Sequence, residues 1–273
     1  MKNKSVFVTV FAVVYLVVTA VFAALYIVLD GVSLKAAASA VFLLFSAAIV
    51  LAAHKLKFNG YGAYKFLVLA AAALCFAGDC SIDANFIAGM ALFGAGHILY
   101  ISAFSALNGV GWRTVLPAAA VGAFGVLWLL LYPEYNFGAI LPAVIAYVVI
   151  ISVMLGRAAG AALDGTLPVR LRACVISGAV LFFISDFFLT LNTFAGGGDV
   201  YRGLCLATYY AAQYLLTLSA LTAAVSGGRR IKPQMNVFSR LYCRAGQAAV
   251  RLVIPLGPYR QPTPRSGRAE VAL

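Results

Sequence analysis

Two aspartates in this chain stand where aspartates are costly. Asp79 ends the apolar run LVLAAAALCFAG and Asp186 ends ISGAVLFFIS. A carboxylate near the centre of a bilayer costs about 3 kcal/mol on insertion scales, so such residues face a cavity or a partner. No lysine or arginine lies within the apolar runs to neutralise them. Two carboxyls in one dry site would share a proton, giving one acid and one anion. His97 is the only histidine deep in an apolar run, with Tyr100 one turn on and Gly94 and Gly96 beside it. Tyr209, Tyr210 and Gln213 fall at a comparable depth in a later run, with Ser185, Asn192 and Thr208 near. Together these residues predict a polar cavity inside the membrane. Asp, Asp and His could hold zinc. With one such histidine and no HExxH motif, however, we expect neither metal nor cofactor.

The elements that position them are long helices. Of 273 residues, 64% are hydrophobic and only 10% charged, against about 25% charged in a soluble domain. Lipid must therefore solvate much of the surface. A spanning helix needs about 20 mostly apolar residues. Segments 5–29, 33–53, 62–83, 85–107, 113–131, 137–156, 171–192 and 201–225 qualify, so we expect an all-α integral membrane protein of about eight transmembrane helices. The first run is too long for a signal-peptide core and reads as a retained helix. With the N-terminus inside, 18 of the 20 Lys and Arg fall on inner segments or the tail. Only Lys35 and Arg202 fall outside, which fixes both termini as cytoplasmic. Asp79 and Asp186 then sit about 24 Å from the inner ends of their helices, at 1.5 Å per residue. Trp112, Tyr61, Tyr132 and Tyr135 fall near span ends, as interfacial aromatics do.

The third and fourth segments resemble the seventh and eighth. Each pair has an apolar run, an aspartate, a short connection and a returning helix with polar groups, and His97-x-x-Tyr100 aligns with Tyr210-x-x-Gln213. The transmembrane domain 1–225 then reads as two four-helix halves, 5–107 and 113–225, in parallel orientation. Residues 226–273 form a basic cytoplasmic tail. An amphipathic helix over 235–254 is expected there on anionic lipid. The net charge of +12 lies in loops and tail, a topological pattern rather than a nucleic-acid footprint. Five unpatterned cysteines give no disulfide or zinc framework.

The same residues carry a resemblance. GDCSIDANFIAGMALFGAGHILYISAF at 78–104, with SDFFLTLNTF at 185–194 and TYYAAQYLL at 208–216, resembles the two signatures of the YhhN-like lysoplasmalogenase family, over residues 5–225. The resemblance implies a hydrolase that cleaves the vinyl ether bond of a lysophospholipid, the lysoplasmalogen, to a fatty aldehyde and glycerophosphocholine or glycerophosphoethanolamine. It implies catalytic roles for Asp79 and Asp186, and substrate-binding roles around His97, Tyr210 and Gln213, to which Tyr100 and Tyr209 are added by proximity. Vinyl ethers hydrolyse through an oxocarbenium ion, so one carboxyl would donate a proton and the other stabilise the cation and orient water. Which does which stays open. Two other functions fit the bare residues: a proton-coupled or lipid transporter, and a non-catalytic lipid-binding protein whose polar groups only join helices. Oligomeric state and organelle are not encoded in these patterns.

Overall fold

A computed structural model of the chain describes residues 32–55 and 61–225, with isolated helical positions between 10 and 25. Most of the first apolar segment and all of the expected tail helix 235–254 lie outside the described residues.

Among the described residues from 32 onward, seven α-helices follow one another: α1 (Val32–Lys55), α2 (Gly62–Ser81), α3 (Phe86–Leu107), α4 (Trp112–Leu131), α5 (Leu141–Ala162, after a 3₁₀ turn at Gly138–Ile140), α6 (Val169–Phe194) and α7 (Asp199–Val225). The described residues contain no strand. In lipid every backbone polar group must be satisfied within its own segment, which an uninterrupted helix achieves. The helices α2 to α7 are long and apolar enough to cross a membrane. Their polarity is inverted relative to a soluble bundle. Leu44, Leu116, Phe124, Leu127, Leu131 and Val149 are exposed, whereas Ser39, Ser46, Asp79, His97, Gln213, Thr217 and Ser219 are buried. The protein is an integral, multi-pass membrane protein.

Six helices close a ring in which α1 meets α2, α2 meets α3, α3 meets α5, α5 meets α6, α6 meets α7 and α7 returns to α1. Helix α4 stands outside it and packs along α5, while its Trp128 ring also meets Phe187 of α6 at 5.5 Å. Hydrogen bonds tie α7 to its neighbours inside the ring: Ser46 to Thr217 at 2.9 Å and Tyr64 to Ser219 at 2.6 Å. Ser219 gives its own proton to the Leu216 carbonyl, so Tyr64 is the donor.

Helices α2 and α3 form a tight hairpin. Asn85 adopts extended backbone and its side chain accepts from the Ala88 N–H at 3.0 Å, capping α3. Gly96 lies against Cys75 and the Ala71 carbonyl, and Gly94 faces the Tyr147 ring. The α6–α7 turn runs through Gly196, Gly197 and Gly198, all at positive φ. Phe86 and Phe194 meet edge to face at 5.3 Å, so both connections lie at one end of the ring.

Two basic residues counted on the inner side are buried: Lys65, within the expected span 62–83, is 4% exposed, and Arg157, one residue beyond the expected span 137–156, is 6% exposed. Helix α5 runs on to Ala162, six residues beyond the expected 156. The Arg157 guanidinium donates to the carbonyls of Asn108 and Gly109 at 2.7 and 3.1 Å, so the charge staples the α3–α4 connection and the helix can continue past it.

At Gly89 the backbones approach closely, and an added Cβ would lie 2.5 Å from Ile82 Cα. Gly89→Ala should lower stability by about 1–3 kcal/mol, the cost of overpacking. Gly203→Ala, with nothing within 4 Å, should be neutral or stabilising by up to about 1 kcal/mol through helix propensity. Thermal unfolding of the detergent-solubilised protein distinguishes the two.

Candidate functional site

The interior polar groups converge at the ring end that carries the α2–α3 and α6–α7 connections. Asp79 is the eighteenth residue of α2 and Asp186 the eighteenth of α6. Both line one chamber of about 130 Å³, together with Asp83, Phe93, Ser185, Asn192, Arg202, Cys205 and Tyr209. Arg202, from the first turn of α7, is also part of the chamber wall.

Each aspartate is held by a tyrosine from another helix, and each tyrosine is backed by a further donor. Tyr209 donates to Asp79 Oδ2 at 2.6 Å, and its oxygen accepts from Gln213 Nε2 at 3.3 Å. The Gln213 carbonyl accepts in turn from Tyr100 at 3.1 Å. Ser39 adds a second donor to the same Asp79 oxygen at 2.5 Å. On the other side Tyr147 donates to Asp186 Oδ2 at 2.8 Å. That uses the only phenolic proton, so the Tyr147 oxygen accepts from His97 Nε2 at 2.9 Å. The same His97 nitrogen is 3.3 Å from Asp186 Oδ2. His97 Nδ1 has no hydrogen-bond partner, which fits a tautomer carrying its proton on Nε2.

The two arrangements share a wall. The Phe182 ring packs edge to face against His97 at 4.6 Å and Tyr209 at 5.4 Å. Asp79 is 5% exposed and the Asp186 side chain 15%. Asp186 also lines a second cavity, an apolar groove walled by Phe86, Met90, Phe93, Trp128, Tyr147, Phe187 and Phe194. It therefore stands at the junction between a polar chamber and an apolar one.

Of the residues expected at the site, Asp79, Asp186 and Tyr209 reach the chamber wall. His97, Tyr100 and Gln213 stand behind it and act through the tyrosines. Tyr210 is buried against Tyr209, with ring centroids 5.3 Å apart, and lines neither cavity. Sequence reasoning did not single out Ser39, Tyr147, Phe93 or Phe182. A signal existed for Tyr147: a lone phenol within VIAYVVII needs a hydrogen-bond partner when buried. Ser39 in AAASAVF carries no comparable mark. Among the described residues no three His, Cys, Asp or Glu side chains form a metal-binding group.

Comparison with known proteins gives a consistent result. The model of the YhhN family matches residues 35–220. The chain is 38% identical over 137 residues to lysoplasmalogenase TMEM86A of Bos taurus, covering 50% of this chain and 55% of the relative. It is 37% identical over 168 residues to lysoplasmalogenase TMEM86B of Rattus norvegicus, covering 59% and 64%. It is 34% identical over 169 residues to lysoplasmalogenase TMEM86B of Homo sapiens, covering 60% and 67%. The matches thus span a little over half the length of the first of these relatives. No solved structure matches. On the extent of the family match, this chain belongs to the YhhN family.

Proposed function

We propose that the protein is a lysoplasmalogenase, hydrolysing the vinyl ether of a lysophospholipid with Asp79 and Asp186 as its acid–base pair. The observation that carries this reading is the position of Asp186, which lines both the polar chamber and the apolar groove. A lysoplasmalogen has the same division, with an alkenyl chain on one side of the vinyl ether and glycerol on the other. The names of the curated relatives support the substrate class.

The geometry suggests a division of labour. Protonation occurs at the β-carbon, on the chain side of the double bond. Asp186, the carboxyl that borders the groove, is the proton donor in this scheme. The α-carbon, bonded to oxygen, takes up the positive charge and is attacked by water. Asp79, which borders only the polar chamber, stabilises that cation and takes the proton from the attacking water. The hemiacetal then collapses to aldehyde and glycerol hydroxyl, and one water is consumed overall. Tyr147 and Tyr209 orient the two carboxyls, and His97, Gln213 and Tyr100 hold the tyrosines in turn.

The wider architecture belongs to the same proposal: eight spans, both termini cytoplasmic, parallel halves 5–107 and 113–225, and a tail helix 235–254 on anionic lipid. The matched helix positions support the repeat, since Asp79 and Asp186 are each eighteenth in their helices and His97 and Tyr210 each twelfth.

Three outcomes follow. Asp79→Asn and Asp186→Asn should each abolish aldehyde release from lysoplasmalogen while the purified protein keeps its unfolding temperature. Reaction in D₂O should place one deuterium on the aldehyde carbon next to the carbonyl. Full activity in both variants, or aldehyde without deuterium, would sink the scheme. Tyr147→Phe should lower turnover by about tenfold to a hundredfold, because Asp186 becomes an anion as it gives up its proton and a hydrogen bond to a charged group is worth about 1.5–3 kcal/mol. For topology, Cys80 is exposed at the end of α2. A membrane-impermeant maleimide applied outside intact cells should label it and spare Cys80→Ser, whereas labelling only after permeabilisation would reverse the orientation.

A further inference from the structure

We infer that a trough between α3, α4 and α5, at the end of the bundle away from the two aspartates, holds an anionic phospholipid of the bilayer, with its phosphate on Arg157 and one acyl chain along α4 and α5. The trough has a volume of about 550 Å³. It shares no lining residue with the chamber or the apolar groove, so the site stands independently of the hydrolase reading.

Arg157 lines the trough and is 6% exposed. Its hydrogen bonds go to the Asn108 and Gly109 carbonyls, and its buried Nε has no partner. Carbonyls satisfy N–H groups but bring no formal negative charge. Among the described residues no carboxylate pairs with Arg157. A buried charge is costly unless it is paired, so the partner that Arg157 lacks is an anion. Arg113, beside the trough residue Thr114, adds a second cation at this end and donates to the Leu163 carbonyl at 3.4 Å. Ser105, Thr114 and Ser152 in the wall each give their hydroxyl proton to a carbonyl three or four residues back. Recognition therefore rests on the charge of Arg157.

The rest of the trough suits a hydrocarbon chain. It is lined from Thr114 to Gly122 on α4 and from Val149 to Arg157 on α5, about 12 Å along each helix. Ala118, Ala119 and Gly122 keep the α4 side shallow, and Val115, Val149 and Val153 are exposed, so the trough opens sideways to lipid. Helix α5 has 22 residues, about 33 Å, against about 30 Å of hydrocarbon. The guanidinium reaches the α3–α4 connection at the end of the bundle, as a snorkelling arginine does, and lipid phosphates lie at that boundary. A zwitterionic lipid brings its own cation to its phosphate. An acidic lipid does not, and so matches an arginine without a carboxylate.

Lipid binding to the purified full-length protein in detergent tests this, with phosphatidylglycerol and phosphatidylcholine as probes. At about 1 M salt the Debye length is about 3 Å, which suppresses diffuse attraction by exposed cations but screens a buried charge much less. Under these conditions the wild type should prefer phosphatidylglycerol about tenfold, a difference of about 1.4 kcal/mol. Arg157→Gln should abolish the preference, and Arg157→Lys should keep most of it. Ala119 is exposed on the lipid side. Ala119→Phe fills the trough and leaves Arg157 and its two carbonyls in place. It should weaken phosphatidylglycerol about tenfold while the unfolding temperature in lipid-free detergent stays unchanged. Equal binding of both lipids by the wild type would overturn the site, as would an undiminished preference in Arg157→Gln. Wild-type binding by Ala119→Phe would also overturn it, since the chain would then lie elsewhere, and this variant decides alone if Arg157→Gln does not fold. Displacement of the lipid by inorganic phosphate at equal concentration would assign the anion to a soluble ion and overturn it too. Aldehyde release is no part of the readout, so failure of the hydrolase reading and failure of this site are scored separately.

Discussion

A carboxyl group enclosed by apolar helices must be given hydrogen-bond donors, and the whole ring is arranged around meeting that demand twice. Each ring helix contributes a side chain: Ser39 from α1, Asp79 from α2, His97 from α3, Tyr147 from α5, Asp186 from α6 and Tyr209 from α7. A single interhelical hydrogen bond in a membrane averages only about 0.6 kcal/mol. What the set supplies is geometry. Each aspartate receives its tyrosine at 2.6–2.8 Å, and each tyrosine is itself oriented by Gln213 or His97. A carboxyl fixed through two layers has little freedom to swing out of the chamber.

The small residues make this possible. Helices can exchange short side-chain hydrogen bonds only if their axes come close, and Gly96 against Cys75 and Gly178 against Leu216 allow that approach in the two hairpins. Helix α4, with no interior carboxyl to serve, stays outside the ring and presents an almost wholly apolar face, Leu116, Phe124, Leu127 and Leu131, to its surroundings.

Much of this was legible in the sequence because lipid enforces simple rules. Apolar runs locate the described helices to within a few residues, apart from the C-terminal end of α5. The two aspartates stand out because nothing in an apolar run explains them. The rest depends on which helix neighbours which. Tyr147 reads as one more large residue in an apolar helix until α5 is seen between α3 and α6. Ser39 reads as a small packing residue until α1 is seen to close the ring beside α2 and α7. His97, Tyr100 and Gln213 were singled out by type, but type does not tell a wall residue from one standing behind the wall. Arg157 and Lys65 show the opposite limit. A charge count assigns them to a side of the membrane, and packing then takes them into the helices.

The meeting of a greasy groove and a wet chamber at one carboxyl also bears on what happens after bond cleavage. A substrate lying across that boundary is a detergent, at home in neither compartment alone. In the proposed reaction, cleavage at Asp186 would leave an oil-soluble aldehyde beside the phenylalanines of the groove and a water-soluble glycerophospho product on the side of the polar chamber. Neither fragment has to cross the boundary to leave, and neither retains the amphiphilic character that held the intact molecule across it. Partitioning, rather than any moving part, would then make the reaction run one way.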